Sequence, residues 1–129
     1  MSRPEDLKYT PTHEWLRVEG DVATVGITAF AVEQLSDLVF IDLPKVGQPV
    51  VKGERFGEVE STKTVSDLIA PASGTVTEVN AALPDHPEIV SQSPFEQGWM
   101  IKVRLSDPGE VGDLLTAGGY QAAIDAAAE

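Results

Sequence analysis

Gly47, Pro49, Gly53, Pro71 and Gly74 cut the middle of the chain into short apolar pieces. Each of these residues stops regular structure, either by fixing φ and removing an N–H or by permitting a left-handed turn. The pieces between them, residues 50–51, 56–60, 65–70 and 75–79, are rich in Val. Such a rhythm predicts a mainly β fold, a sandwich or barrel of short strands, rather than a parallel sheet with crossover helices. Upstream, residues 21–27 are β-branched and partly alternating, which predicts a strand. Thr28 offers an N-cap to one short internal helix over residues 29–35. Residues 38–43 carry the strongest strand signal, ended by Pro44 and Gly47. Residues 80–97, with Pro84, Pro87 and Pro94, read as an irregular loop with little regular structure, and residues 99–105 as a closing strand.

The tail changes character. Asp107 can cap a helix with Pro108 at its first position. After the break at Gly118 and Gly119, the residues Tyr120, Ala123, Ile124 and Ala127 share one face of a second short helix. A single domain over residues 1–129 is expected, with a β core over about 20–105 and a C-terminal helical segment over about 107–128.

Charge narrows the partners. Twenty-one acidic side chains against nine basic ones give a net charge of -12. That surface repels phosphate backbones and argues against nucleic acid. It favours either encounter with basic protein surfaces or simply solubility. Without cysteine, disulfides, thiolate catalysis and Cys-based metal sites are excluded. No apolar run is long enough to cross a bilayer, so no membrane association is expected. Residues 1–10 show no signal-like pattern. The expected compartment is the cytoplasm, although a mitochondrial matrix protein stripped of its leader would read the same way.

The segment from Gly57 to Ile69 carries the most chemistry. Val59 and Val65 are expected to face a core while Glu58, Glu60 and Ser66 face water. Between these strands, small polar residues surround one lysine, Lys63. This arrangement predicts an ammonium at an exposed hairpin tip, on four methylenes ending in an acylatable amine. Taken alone, a turn lysine is most often just solvated.

The surrounding residues carry a resemblance. Phe56-Gly57-Glu58-Val59-Glu60-Ser61-Thr62-Lys63-Thr64-Val65-Ser66-Asp67 resembles the lipoylation motif of glycine cleavage H proteins, in which Glu-Ser-x-Lys precedes a Ser-Asp pair. Tyr9-Thr10-Pro11-Thr12-His13-Glu14-Trp15 is similar to the family's His-Glu-Trp block. Gly26-Ile27-Thr28, Leu35-Ser36-Asp37-Leu38-Val39 and Leu43-Pro44-x-Val46-Gly47 match a second block. Pro71-x-Ser73-Gly74 through Glu78-Val79-Asn80 and Gly98-Trp99-Met100-Ile101-Lys102 match two more. The resemblance implies a barrel-sandwich hybrid of two antiparallel sheets, with the lysine at a hairpin tip and helices at the C-terminus.

Function follows from the same resemblance. Lys63 would carry lipoic acid in amide linkage, and the chain would be a carrier, not an enzyme. Its arm would take an aminomethyl group from the pyridoxal-phosphate glycine decarboxylase (P protein) to the tetrahydrofolate-dependent aminomethyltransferase (T protein). Dihydrolipoyl dehydrogenase (L protein) would reoxidise the dithiol, and a lipoate or octanoyl transferase would load Lys63. In the family, acids matching Glu14 and Asp67 line a cleft for the arm's cationic amine, with a hydroxyl at the position of Thr12. His13 and His86 have no evident nucleophile or metal partner and read as structural or solvated. Trp15 and Trp99 read as core or cleft wall. Phe95 stands where the family usually has Tyr, and Ser91 where Asn is common. Thr62 and Thr64 flank the lysine where biotinyl carriers favour methionines. A lipoate relay or an unmodified interaction module remain as alternative roles.

Overall fold

A computed structural model describes residues 7–10, 12–35, 37–95, 97–107, 109, 114–116, 119–120 and 122–124. The elements in chain order are β1 (Lys8–Tyr9), β2 (Glu14–Glu19), β3 (Val22–Ile27), α1 (Ala29–Leu35), β4 (Leu38–Asp42), β5 (Pro49–Val50), β6 (Arg55–Ser61), β7 (Val65–Ile69), β8 (Gly74–Val79), α2 (Glu88–Gln92) and β9 (Ile101–Leu105). They form two antiparallel sheets, one of six strands in the order β1-β2-β3-β9-β8-β5 and one of three in the order β4-β6-β7. The expected mainly β, two-sheet architecture is therefore present.

One apolar cluster joins the sheets. Leu16, Val25, Val76 and Val103 come from the larger sheet, and Ile41, Val59 and Leu68 from the smaller. Burial of such side chains is the main stabilising term for a sandwich of short strands, at about 25 cal/mol per Å² of apolar surface. A second cluster of Leu7, Tyr9, Trp15, Phe95 and Tyr120 lies apart from it. Here Gly26 is obligatory for steric reasons, because a Cβ at that position would sit 2.7 Å from the Trp15 ring. The Trp15 indole N–H donates to the Pro94 carbonyl at 2.8 Å, which ties β2 to the late loop. Phe95 keeps the ring against Trp15, with centroids 6.2 Å apart.

Several sequence expectations need correction. The strand β2 gave no alternating signal because its first three residues, Glu14, Trp15 and Leu16, are all buried. The region read as irregular loop contains α2, a helix of five residues, too short for periodicity to announce it. Val65 is 51% exposed rather than core-facing, and Ser66 rather than Val65 lies opposite buried Val59. The hairpin register decides this, since a shift of one residue exchanges the two faces of a strand. Thr28 does cap α1, its hydroxyl accepting the Ala31 N–H at 3.2 Å. In the tail, Leu115 bridges to Tyr9 through a reciprocal pair of 2.8 Å backbone bonds. Residues 119–120 and 122–124 are helical. Of the helix expected to start at Pro108, Asp107 does accept the Gly109 N–H, at 3.1 Å, residues 114–116 are not helical, and the rest, like Ala127, lies outside the described residues. Among the described residues, no helix is long and apolar enough to cross a membrane.

Candidate functional site

Lys63 lies in the three-residue connection between β6 and β7 and is exposed. The tip is built around one hydroxyl. Ser61 Oγ accepts the backbone N–H groups of Lys63 and Thr64, each at 3.1 Å, and donates to the Thr64 carbonyl at 3.1 Å. The Ser61 N–H also donates to the Thr64 carbonyl, at 2.8 Å. On the other side, the Thr62 N–H donates to the Asp37 carbonyl at 3.0 Å, which anchors the tip to the start of β4. The lysine backbone is therefore pinned while its side chain projects into solvent. Serine suits this role because its short hydroxyl can serve backbone groups two and three residues ahead.

Ser61 is the functional residue that reasoning from spacing alone passed over. Its signal was its place in the Glu60-Ser61-x-Lys63 run. Ser61→Ala is expected to cost about 1 kcal/mol and to speed hydrogen exchange at the Lys63 and Thr64 amides. Ser61→Thr should preserve protection at both amides, as read by exchange mass spectrometry.

Glu14 and Thr12 come together, and Thr10 joins them. The Glu14 side chain is buried, 1% exposed. Its Oε1 accepts the hydroxyls of Thr10, at 2.7 Å, and Thr12. Its Oε2 accepts the Ile69 N–H at 3.3 Å. Since Ile69 ends β7 and Glu14 begins β2, one carboxyl group spans the two sheets. Burial pushes the Glu14 pKa above the ordinary carboxylate value, against the opposing pull of the threonine and backbone donors.

Beside this group opens a cavity of about 490 Å³. Thr10, Thr12 and Lys52 supply polar groups to its wall, while Ile69, Ala70, Pro71, Leu114 and Leu115 supply apolar surface. Glu14 backs the threonines rather than lining the space itself. Asp67 is not part of this set. It lies opposite Glu58 on the exposed face of the hairpin and pairs with Arg55 Nε at 3.1 Å. Arg55 also reaches Glu58, at 3.5 Å.

His13 adopts a left-handed backbone conformation, φ 74°. Its Nδ1 lies 2.6 Å from the Tyr120 hydroxyl, which is itself 2.7 Å from Thr28 Oγ1. The histidine therefore ties the turn before β2 to the C-terminal segment, a structural role. The three residues of the His-Glu-Trp block thus hold three different parts of the chain: the tail, the smaller sheet and the late loop.

A family model for the glycine cleavage H-protein matches residues 7–127. The chain belongs to the glycine cleavage H-protein family. It is 54% identical over 125 residues to the glycine cleavage system H protein of Geobacillus kaustophilus, covering 97% of this chain and 98% of that one. It is also 54% identical over 119 residues to that of Symbiobacterium thermophilum, covering 92% and 93%. A crystal structure of a glycine cleavage system H protein from Mycobacterium marinum superposes with a TM-score of 0.88 at 49% identity, covering 95% of this chain and 99% of that one. The family consists of carriers that bear a lipoyl group on a lysine, not of catalysts.

Proposed function

We propose that Lys63 is the lysine that carries lipoic acid, and that residues 1–129 work as one lipoyl-carrier unit of the glycine cleavage system. The observation that carries this reading is the pinned tip, in which Ser61 fixes the Lys63 backbone and leaves the amine exposed. The lipoyl group supplies a dithiolane that accepts the aminomethyl unit of glycine and gives it up again. The chain serves the pyridoxal-phosphate glycine decarboxylase, the tetrahydrofolate-dependent aminomethyltransferase and dihydrolipoyl dehydrogenase in turn. Its contribution is to hold a reactive group at high local concentration near each of them. A lipoate or octanoyl transferase loads it. The cytoplasm is the proposed compartment, on the ground that similar chains come from bacteria.

The cleft fits the arm chemically. Apolar walls at Ile69, Pro71 and Leu115 suit a hydrocarbon chain, and the Thr10, Thr12 and Glu14 group suits a cationic amine held on the threonine side, away from the Lys52 ammonium in the same wall. Thr12 is exposed and Glu14 lies directly behind it, so Thr12 makes the contact while the carboxyl group supplies the charge. Asp67 would help only by exchanging Arg55 for the amine.

Intact mass spectrometry with peptide mapping tests the attachment, with a lipoyl adduct expected on residue 63. The lipoylated chain should then support glycine–bicarbonate exchange with the decarboxylase. An adduct on any other lysine would refute the reading.

A further inference from the structure

The exposed face of the β4-β6-β7 sheet carries an apolar surface beside Lys63 that neither the core nor the cleft uses. Register determines its make-up. Phe40 lies opposite Glu60, and Glu60 opposite Val65, so these three side chains form one row on one face. The next row on that face is Asp42, Glu58 and Asp67. Phe40 is 45% exposed and Val65 51%. Val39, at the bulge in β4, is 52% exposed. Scattered apolar side chains on a surface need no explanation, but a group on one open face marks an interaction site.

Position selects the partner. Val65 is two positions from Lys63, at most about 7 Å along the chain. Phe40 lies two strand spacings from Val65, roughly 10 Å away. A lysine stem holds its amine only about 6 Å from its own Cα. An enzyme that forms an amide on that amine has to sit on the tip itself, which brings the row behind it within the footprint of a protein-sized partner. Enzymes that act later on the far end of the acyl arm need not touch this row.

Resting on the reading of Lys63 as the attachment site, we propose that Phe40, Val65 and Val39 form the docking surface for the enzyme that acylates Lys63. Glu60 sits between Phe40 and Val65, and Asp42 and the Arg55-paired Glu58 form the next row, so the matching surface on that enzyme carries apolar contacts on either side of a basic side chain. The net charge of -12 strengthens attraction to such a partner at long range. In the reaction, the Lys63 ammonium gives one proton to solvent, its neutral amine forms a C–N bond to the acyl carbon of a thioester or acyl phosphate, and a second proton leaves to solvent or the leaving group, so that the amide keeps one N–H. The bond from that carbon to sulfur or phosphate oxygen breaks, and the leaving group takes the electron pair. The apolar row supplies binding and orientation, not chemistry.

The test uses the full-length unmodified chain with a purified ATP-dependent lipoate ligase, lipoate and ATP, and follows initial rates by intact mass. Phe40→Ser combined with Val65→Thr is expected to raise KM about tenfold while kcat stays within about twofold. Val46→Thr, at a position 64% exposed outside this face, should behave as wild type. Glu60→Lys leaves every apolar contact in place and should also raise KM, most strongly at low salt. Acetylation of Lys63 by a small activated ester should proceed equally in all variants. An unchanged KM in the double variant overturns the proposal. A parallel fall in chemical acetylation also overturns it, because the row would then be controlling lysine exposure rather than docking. A wild-type chain that takes no enzymatic adduct at residue 63 removes the attachment reading, and this proposal with it.

Discussion

Replacing Lys63 by arginine is expected to abolish the lipoyl adduct and reduce glycine–bicarbonate exchange to background, with the fold intact. Arginine keeps the positive charge and most of the stem, but its guanidinium stays protonated and offers no free amine to acylate. The substitution removes no contact that holds the tip, because the Ser61 bonds go to backbone N–H groups. The melting temperature should therefore change by no more than about 2 °C, as for other exposed positions. The pairing of lost activity with unchanged stability is the informative outcome. If Lys63→Arg protein still acquires a lipoyl adduct and supports exchange, another lysine carries the arm.

Glu14→Ala is expected to destabilise the chain by about 3 kcal/mol, a fall of roughly 10 °C in melting temperature. The cause is not the lost carboxyl alone. Removing it leaves the hydroxyls of Thr10 and Thr12 and the Ile69 N–H without their acceptor, and it cuts a link between β2 and β7. Glu14→Gln should cost less than alanine, because one amide oxygen can still serve the threonines. Its NH₂ would then face the Ile69 N–H, donor against donor. The two variants also separate stability from docking: if the carboxylate holds the arm's amine, both should speed spontaneous decay of the loaded arm. An unchanged decay rate in Glu14→Ala would show that Glu14 only braces the fold.

The same residue predicts a pH dependence. The folded-state pKa of Glu14 lies above its ordinary value, so across that interval the folded chain binds more protons than the unfolded one. Stability contributed by this group is greatest below the ordinary carboxylate value and is lost as pH rises through the raised folded value. In denaturant melts across that window, wild type should lose stability relative to Glu14→Gln as pH rises, so that its advantage over the variant is largest at the acid end and shrinks toward higher pH. A difference that does not vary with pH would show that Glu14 titrates normally in the folded chain.

How much was legible in the sequence depended on the range of the forces involved. Turn residues and β-branched runs act locally, so β3, β4, β6, β7, β8 and the Thr28 cap could be read from neighbours in the chain. The lysine at a hairpin tip followed from the same local signals, and the blocks around it pointed to the family. Buried β2 and short α2 were not legible, since one lacks alternation and the other lacks length. Val65 is apolar yet lies on the open face, because hydrophobicity alone does not set hairpin register.

Lys63 shows the division most clearly. By itself the sequence determined that an acylatable lysine stands between two strands in a motif of the lipoyl-carrier family. Only the tertiary structure decided which side chain pins that lysine, that Glu14 reaches across to β7 rather than opening directly into the cleft, and that Asp67 is held by Arg55. It also placed Phe40 and Val65 in one exposed row with Glu60. The reason is physical: turn chemistry depends on residues a few positions apart, whereas burial, strand register and carboxylate pairing depend on residues brought together by folding.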